Sequence, residues 1–203
     1  VYITFPTQLG TIYSKSEIST IYDICKRRNL VLFIDGARLG YGLMAEGNDV
    51  DLPWLTAHCD VFYIGGTKMG AICGEAVVFT HNNMPKHFFS YVKQQGALLA
   101  KGRLTGIQFD TLFTDGLYFK IAQHAIDMAM KMKAMFTSHG YGFWGDSPTN
   151  QQFVLIPDSK LARFQEHAAF DIWGPDGNGN TICRFVTSWA TTGKDLADLE
   201  HIL

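Results

Sequence analysis

The chain has 203 residues and a formal net charge of −2, with 17 Lys and Arg against 19 Asp and Glu. This near balance argues against a protein that binds nucleic acid electrostatically, because such proteins cluster basic side chains to displace counterions. A hydrophobic content of 47% is typical of a globular protein with a sizeable core. No uninterrupted apolar run approaches the roughly 20 residues of a membrane-spanning helix. We therefore expect neither nucleic acid nor a membrane among the partners.

The first half of the sequence alternates between strand and helix patterns. Val1–Phe5 is strand-like, and a capping box at Ser14 predicts the start of a helix. The unbroken apolar run Leu30–Ile34 is typical of a parallel strand covered on both faces, and Val61–Ile64 is a second such run. Glu75–Thr80 predicts a further strand, which must run antiparallel because the connection before it is too short for a parallel crossover.

The second half predicts a long helix and then a different pattern. Leu104–Ser138 reads as helix, bent near Gly116, and short strands and helices alternate after Thr149. We therefore predict an α/β fold with two domains. Residues 1–140 form a large domain around a mostly parallel sheet with one antiparallel strand, and residues 141–203 form a small α+β domain.

Neither the cysteines nor the acidic loop predicts a metal site. The four cysteines lie far apart in the sequence, so reduced thiols in a cytoplasmic protein are a better interpretation than zinc ligands. The segment Asp176–Asn180 alternates oxygen-bearing side chains with glycine, as a calcium loop does. It lacks the central Gly and the final Glu of such a loop. We therefore predict a turn between two strands.

Two polar side chains follow neighbouring strands of the predicted sheet. Asp35 comes directly after the run that ends at Ile34, and Lys68 lies in the glycine-rich loop Gly65–Gly70. Because ligands of open α/β sheets bind beyond the carboxyl ends of the parallel strands, we expect both side chains to face one pocket. The alternatives are that Asp35 is a turn or cap residue and that Lys68 is a solvated surface residue. The loop does not have the spacing of a phosphate-binding P-loop.

These segments resemble a known enzyme family. The stretch Phe33–Arg38 (FIDGAR), followed by Asp60–Gly70 (DVFYIGGTKMG), is similar to the cofactor segments of the threonine aldolase and β-eliminating lyase family. The segments Phe5–Ser14, Leu98–Leu104 and Cys183–Trp189 resemble further segments of the same family. The resemblance covers essentially the whole chain. It implies the aspartate-aminotransferase fold of pyridoxal-phosphate (PLP) enzymes, fold type I.

The resemblance implies a role for each residue that matches the family's motifs. Lys68 is the amine that bonds to the aldehyde of pyridoxal 5'-phosphate. Asp35 keeps the ring nitrogen protonated, so that the ring can accept the electron pair released at the substrate Cα. Arg38 lies near the phenolic oxygen of the ring, and Thr67 donates to the phosphate. Arg184 binds the substrate carboxylate in bidentate fashion, which a Lys could not imitate.

The same resemblance implies further candidates and partners. Arg103 and Lys101 are weaker candidates for binding the phosphate or a partner subunit. The substrate is a small amino acid, and the family's active sites at subunit interfaces imply a homo-oligomer, either a dimer or a tetramer. Family members carry further residues before the position of Val1, which supply a phosphate-binding loop. We therefore expect the chain to lack the N-terminal part of the cofactor domain.

The resemblance specifies the cofactor better than the reaction. A threonine aldolase cleaves the Cα–Cβ bond of a β-hydroxy amino acid to give glycine and an aldehyde. We expect this chain to belong to an enzyme that catalyses this reaction. A β-eliminating lyase uses the same residues to remove the α-proton and expel a β-substituent. A third possibility is a catalytically silent member of the fold that acts by association.

Overall fold

A computed structural model describes residues 1–203. Strands and helices alternate along the first half, as the sequence predicts. Its elements are, in chain order, β1 (Tyr2–Thr4), α1 (Lys15–Arg27), β2 (Phe33–Asp35), α2 (Leu39–Leu43), α3 (Leu52–Ala57), β3 (Val61–Gly65), β4 (Glu75–Phe79), α4 (Phe88–Gln94) and α5 (Arg103–Phe113). The second half contains α6 (Leu117–Ser138), β5 (Gly142–Phe143), β6 (Gln151–Pro157), α7 (Asp158–His167), β7 (Asp171–Pro175), β8 (Asn180–Val186) and α8 (Gly193–Glu200).

The first sheet has the predicted mixture of strand directions. Its order is β1-β2-β3-β4, with β1, β2 and β3 parallel and β4 antiparallel to β3. The α/β fold class is therefore confirmed. The prediction of a strand over Leu30–Ile34 is wrong at its start, because β2 begins at Phe33, and Leu30 and Val31 are exposed. Both ladders of β2 begin at Phe33, although the amino group of Val1 still donates to the carbonyl oxygen of Val31 at 2.7 Å.

The two faces of the first sheet differ in how much they are covered. Ile34, Phe62 and Ile64 point into a core that α1, α2 and α6 help to form, and all three are buried. On the opposite face the exposed fraction is 60% for Tyr2 and 50% for Val77. The sheet is therefore packed closely on one side and partly open on the other.

The second sheet is antiparallel throughout, in the order β5-β6-β8-β7. A separate core of Val154, Phe164, Phe185 and their neighbours lies against it. The segment Asp176–Asn180 is the predicted turn between two strands. Both Asn178 and Asn180 donate their backbone N–H to Asp176 Oδ1, at 2.7 and 3.1 Å. The boundary predicted between residues 140 and 141 stays a prediction.

Two helices occupy the segment for which one bent helix was expected. They are α5 and α6, and the turn Thr114–Gly116 separates them. Asp115 and Gly116 both adopt left-handed conformations, with φ of 51° and 67°, which an α-helix cannot continue through. The break is thus sharper than a bend.

Helix α6 connects the two cores. Its first half contributes Ala122 and Ile126 to the core of the first sheet, and its second half contributes Met132 and Phe136 to that of the second. Because α6 packs in both cores, the position of the second sheet relative to the first depends on this helix.

No helix in the structure, α6 included, combines the length and the apolarity needed to cross a bilayer.

Candidate active site

The register of the first sheet brings the predicted aspartate and lysine to one edge. Phe33 pairs with Val61 in the parallel ladder between β2 and β3, so both strands end at the same side of the sheet. Asp35 is the last residue of β2, and Lys68 lies in the 3₁₀ turn that follows β3. The positive charge of Lys68 is close enough to lower the pKa of the Asp35 carboxyl.

Three donors hold the Asp35 carboxylate. Oδ1 accepts hydrogen bonds from the hydroxyl of Tyr63 and from the backbone N–H of Ala37, the latter at 2.9 Å. Oδ2 accepts from the hydroxyl of Tyr2. Burial alone would raise the pKa of Asp35, but the three donors and the nearby Lys68 hold it below its usual value. Asp35 is therefore ionised at neutral pH.

Glycines allow the loop after β2 to lie directly against the end of β3. A Cβ atom on Gly36 would lie 1.9 Å from the carbonyl oxygen of Tyr63, and one on Gly65 would lie 2.3 Å from that of Ala37. The N–H of Gly65 donates to the carbonyl of Gly36 at 2.9 Å. Only glycine fits at these two positions, because any side chain would collide with the facing backbone. The close contact brings the loop after Asp35 next to the 3₁₀ turn Thr67–Met69, here called the lysine turn.

The lysine turn is fixed from both sides while its amine stays free. Glu75, the first residue of β4, accepts from the N–H of Gly66 at 2.8 Å and from the Thr67 hydroxyl at 3.4 Å. The Tyr41 hydroxyl donates to the carbonyl oxygen of Lys68. Burial raises the pKa of Tyr41 to about 12, so this phenol keeps its proton. The Lys68 side chain is exposed and forms no hydrogen bond or ion pair.

The surroundings of the Thr67 hydroxyl do not favour a bound phosphate. Its hydroxyl faces the Glu75 carboxylate, and a phosphate placed there would meet a like charge. The assignment of Thr67 to phosphate binding stays a prediction.

Arg38 faces a cavity at this edge of the sheet. The cavity has a volume of about 230 Å³ and is lined by Thr4, Pro6, Gln8, Asp35, Ala37, Arg38 and Arg184. Lys68 is not among the lining residues, so this cavity contains the aspartate and both arginines, and the prediction that Asp35 and Lys68 face one pocket is wrong for this cavity. The Nε atom of Arg38 is buried and has no hydrogen-bond acceptor. Because buried donors are nearly always paired, this atom indicates a place for an acceptor.

Arg184 reaches the cavity from the second sheet. Its Nε and Nη2 both donate to Asp171 Oδ2, with the Nε bond at 3.0 Å, and its Nη1 donates to Gln151 Oε1 at 3.0 Å. The guanidinium also lies 5.6 Å from the ring centroid of Trp173. The residue predicted to bind a substrate carboxylate is thus already paired with a carboxylate of the chain.

The two arginines of the cavity influence each other. Burial lowers the pKa of Arg38, and the positive charge of Arg184 lowers it further. The carboxylates of Asp35 and Asp171 act in the opposite direction on the pKa of Arg38, so the cavity combines two guanidinium groups with the negative charge of Asp35.

The remaining candidates lie away from this cavity. Arg103 and Lys101 are exposed at the start of α5, and their side chains form no hydrogen bond or ion pair. No three His, Cys, Asp or Glu side chains come together in a way that could hold a metal ion. Burial raises the pKa of the Cys59 thiol to about 12 and that of Cys183 to about 11, so both are protonated at neutral pH.

Four side chains at this edge were not predicted from the sequence. They are Tyr2, Tyr41, Tyr63 and Glu75, which bind Asp35 or the lysine turn. Strand alternation alone identifies none of them, because the contacts of Tyr2 and Tyr63 with Asp35 require the register between strands. The other contacts depend on register and on tertiary packing.

Known proteins are similar to this chain in sequence. The sequence profile of the family described as beta-eliminating lyase matches residues 1–146. The chain belongs to this family. A low-specificity L-threonine aldolase of Pseudomonas sp. (strain NCIMB 10558) is 33% identical over 206 aligned positions, which include the whole chain and 59% of that protein. The chain thus spans less than two thirds of this curated relative.

Solved structures agree on the fold. A threonine aldolase from Leishmania major superposes with a TM-score of 0.95 at 36% identity, over the whole chain and 59% of that protein. An ornithine aminotransferase from Toxoplasma gondii, in which PLP partially occupies the active site, superposes with a TM-score of 0.58 at 14% identity, over 99% of the chain and 48% of that protein. The fold is therefore that of the PLP enzymes of fold type I, as the resemblance implies.

Proposed function

We propose that the chain is part of a PLP-dependent lyase that cleaves the Cα–Cβ bond of a small β-hydroxy amino acid, as a threonine aldolase does. The observation that carries the proposal is the placement of Asp35 and Lys68 at the ends of adjacent parallel strands, next to the cavity with Arg38 and Arg184. The similarity to threonine aldolases from two organisms supports the choice of reaction.

The residues present fit the cofactor. A carboxylate offers about four acceptor sites, and the donors on Asp35 use three of them, so one remains for a protonated ring nitrogen. The buried Nε of Arg38 lacks an acceptor, which the phenolic oxygen of the ring can supply. When bound, PLP supplies an electron sink for the pair released at the substrate Cα.

Each side chain then has one task. Asp35 is ionised, so it holds a proton on the ring nitrogen. Lys68 offers an exposed amine that nothing else in the chain engages. Arg184 binds the substrate carboxylate, which must compete with Asp171 for the guanidinium. Thr67 is proposed as a phosphate donor, and Arg103 and Lys101 as weaker candidates for binding the phosphate or a partner subunit.

Covalent trapping tests the cofactor. The chain is incubated with PLP, reduced with borohydride, digested and analysed by mass spectrometry. We expect a pyridoxyl-phosphate adduct on Lys68, which Lys68→Ala removes. Lys86→Ala is the matched control, since Lys86 is also exposed but lies outside the site. A label spread over surface lysines, with no preference for Lys68, would contradict the proposal.

Product analysis tests the reaction. With threonine, we expect glycine and an aldehyde, whereas a β-eliminating lyase would release ammonia and a 2-oxo acid. Asp35→Ala should keep the Lys68 adduct but lose turnover, because a neutral ring nitrogen is a poor electron sink. An adduct on Lys68 without any product from the unsubstituted chain would favour the catalytically silent alternative.

A further inference from the structure

One phenol from each neighbouring strand holds the Asp35 carboxylate. We propose that Tyr2 and Tyr63 are positioning residues, which fix the plane of this carboxylate and leave one lone pair of Oδ2 for the ring nitrogen of the cofactor. The inference rests on the proposed function, because it concerns the group that Asp35 is proposed to bind.

The strand register places the two phenols on opposite sides of the carboxylate. Strands β1 and β3 flank β2, and Tyr63 lies beside Asp35 when the pairing of Ile34 with Phe62 is continued by one residue. Tyr2 pairs with Phe33 and is therefore a diagonal neighbour of Asp35, a distance that a long aromatic side chain spans. Both hydroxyls reach the carboxylate.

A row of rings keeps the phenols in place. The ring of Tyr2 stacks on that of Phe33, with 5.5 Å between centroids and 7° between planes, and the Phe33 ring lies 6.2 Å from that of Tyr63. The contacts with the Phe33 ring restrict the positions that both phenols can take. The Asp35 carboxylate thus accepts hydrogen bonds from two side chains that share one packing partner.

The donors are distributed unequally over the two oxygens. Oδ1 accepts from the Tyr63 hydroxyl and the Ala37 N–H, so both of its lone pairs are used. Oδ2 accepts only from Tyr2 and keeps one lone pair. This arrangement selects Oδ2 as the atom that faces a further donor.

The charges in the cluster support the same assignment. The hydrogen bond to Asp35 raises the pKa of Tyr2, and burial followed by the bond to Asp35 raises that of Tyr63. Both phenols therefore keep their protons and act as donors. In return, their hydrogen bonds lower the pKa of Asp35 against the effect of burial.

The test follows the protonation of Asp35 without any cofactor. The chain is labelled with carboxyl-¹³C aspartate, the Asp35 signal is assigned with Asp35→Asn, and its pH midpoint is measured by NMR. We expect Tyr2→Phe and Tyr63→Phe each to raise the midpoint by about one pH unit, since each removes a donor to the charged form. Tyr22→Phe is the matched control, because its hydroxyl bonds to His81 at 2.9 Å and not to a carboxylate.

The outcomes separate this inference from the proposed function. An unchanged midpoint in both folded variants would overturn it. Tyr2 is 60% exposed, so we expect Tyr2→Phe to fold. If Tyr63→Phe does not fold, an unchanged midpoint in Tyr2→Phe alone overturns the inference. Raised midpoints show that the two phenols hold the Asp35 carboxylate, and reduced turnover with an intact Lys68 adduct in the same variants supports the purpose of this contact. Raised midpoints in a chain that never forms an adduct on Lys68 would overturn the proposed function while the hold on Asp35 stands.

Discussion

Asp35 and Asp60 show how two aspartates beside apolar strands come to differ in chemistry. Asp60 precedes β3, is almost fully buried, and accepts hydrogen bonds from the Leu32 N–H at 2.9 Å and from the Lys26 ammonium. Asp35 is the last residue of β2, where its carboxylate keeps an unused lone pair beside a cavity. The carboxyl ends of parallel strands are where an open sheet offers space for a ligand, and Asp35 stands there while Asp60 does not.

Asp60 makes stability depend on pH in acid. Burial raises the pKa of its carboxyl, but the contacts with Lys26 and Leu32 outweigh burial and hold the pKa below its usual value. The folded state therefore binds protons less readily than the unfolded state. Its contribution to stability is present above the ordinary aspartate pKa of about 4 and is lost as the pH falls through the folded value.

We expect Asp60→Asn to lower the free energy of unfolding at neutral pH by about 1–3 kcal/mol and to flatten its decline in acid. Urea denaturation at a series of pH values measures both effects. Asp23→Asn is the control, because Asp23 is exposed on α1 and makes no hydrogen bond or ion pair through its side chain. Equal acid dependence in Asp60→Asn and the unsubstituted chain would contradict the assignment.

At the scale of elements, local signals predicted some features and tertiary contacts decided the others. The start of α1 was predictable because Ser14 and Glu17 cap it reciprocally, and this capping box is present. The placement of Asp35 and Lys68 at one edge of the sheet was predictable, because the carboxyl ends of parallel strands lie at the same edge. The phenols on Asp35 were not, because a hydrogen bond between strands requires the register. A short element such as α2 likewise carries too few residues for a periodic signal.

Glycine at the contact between the two site loops gives a prediction for this scale. Gly36→Ala places a Cβ atom 1.9 Å from a backbone oxygen, which only a backbone shift can relieve. We expect a loss of more than about 2 kcal/mol in the free energy of unfolding, together with a weaker Lys68 adduct.

Gly106→Ala is the comparison for this substitution. Gly106 lies inside α5 with no atom near its would-be Cβ, so we expect a gain of about 0.5–1 kcal/mol from helix propensity. Thermal and urea denaturation measure both variants. Similar stabilities for the two would show that the loops can separate at little cost.

At the scale of the whole molecule, large apolar side chains remain exposed next to the site. An apolar groove of about 340 Å³ lies beside the lysine turn, and its walls include Met69, Ile72, Ile107, Leu117 and Trp189. Ile72 is 93% exposed, which is unusual for a side chain of its size. Exposed apolar patches of this kind mark association surfaces. The homo-oligomer that the family resemblance implies stays a prediction, and this groove is where we expect a second copy to bind.

Sedimentation at several concentrations tests this prediction. We expect the chain to sediment as an oligomer and Ile72→Asp to shift it toward the monomer, because a charge in the groove would be buried on association. Ile24→Asp is the control, since Ile24 is exposed on α1 and lies outside the groove. Identical sedimentation of the unsubstituted chain and Ile72→Asp would remove the groove as the contact.

The two arginines of the cavity have a consequence for energetics beyond catalysis. Arg38 has a buried donor without an acceptor, and Arg184 adds a second positive charge nearby. Asp35 and Asp171 offset part of this positive charge, but the Arg38 donor stays without a partner, and an anion that binds it in the folded state alone lowers the free energy of that state relative to the unfolded one. Resistance to heat should consequently rise with the concentration of an inert carboxylate or phosphate. The cavity thus makes the stability of the folded state depend on the anions in solution, independently of turnover.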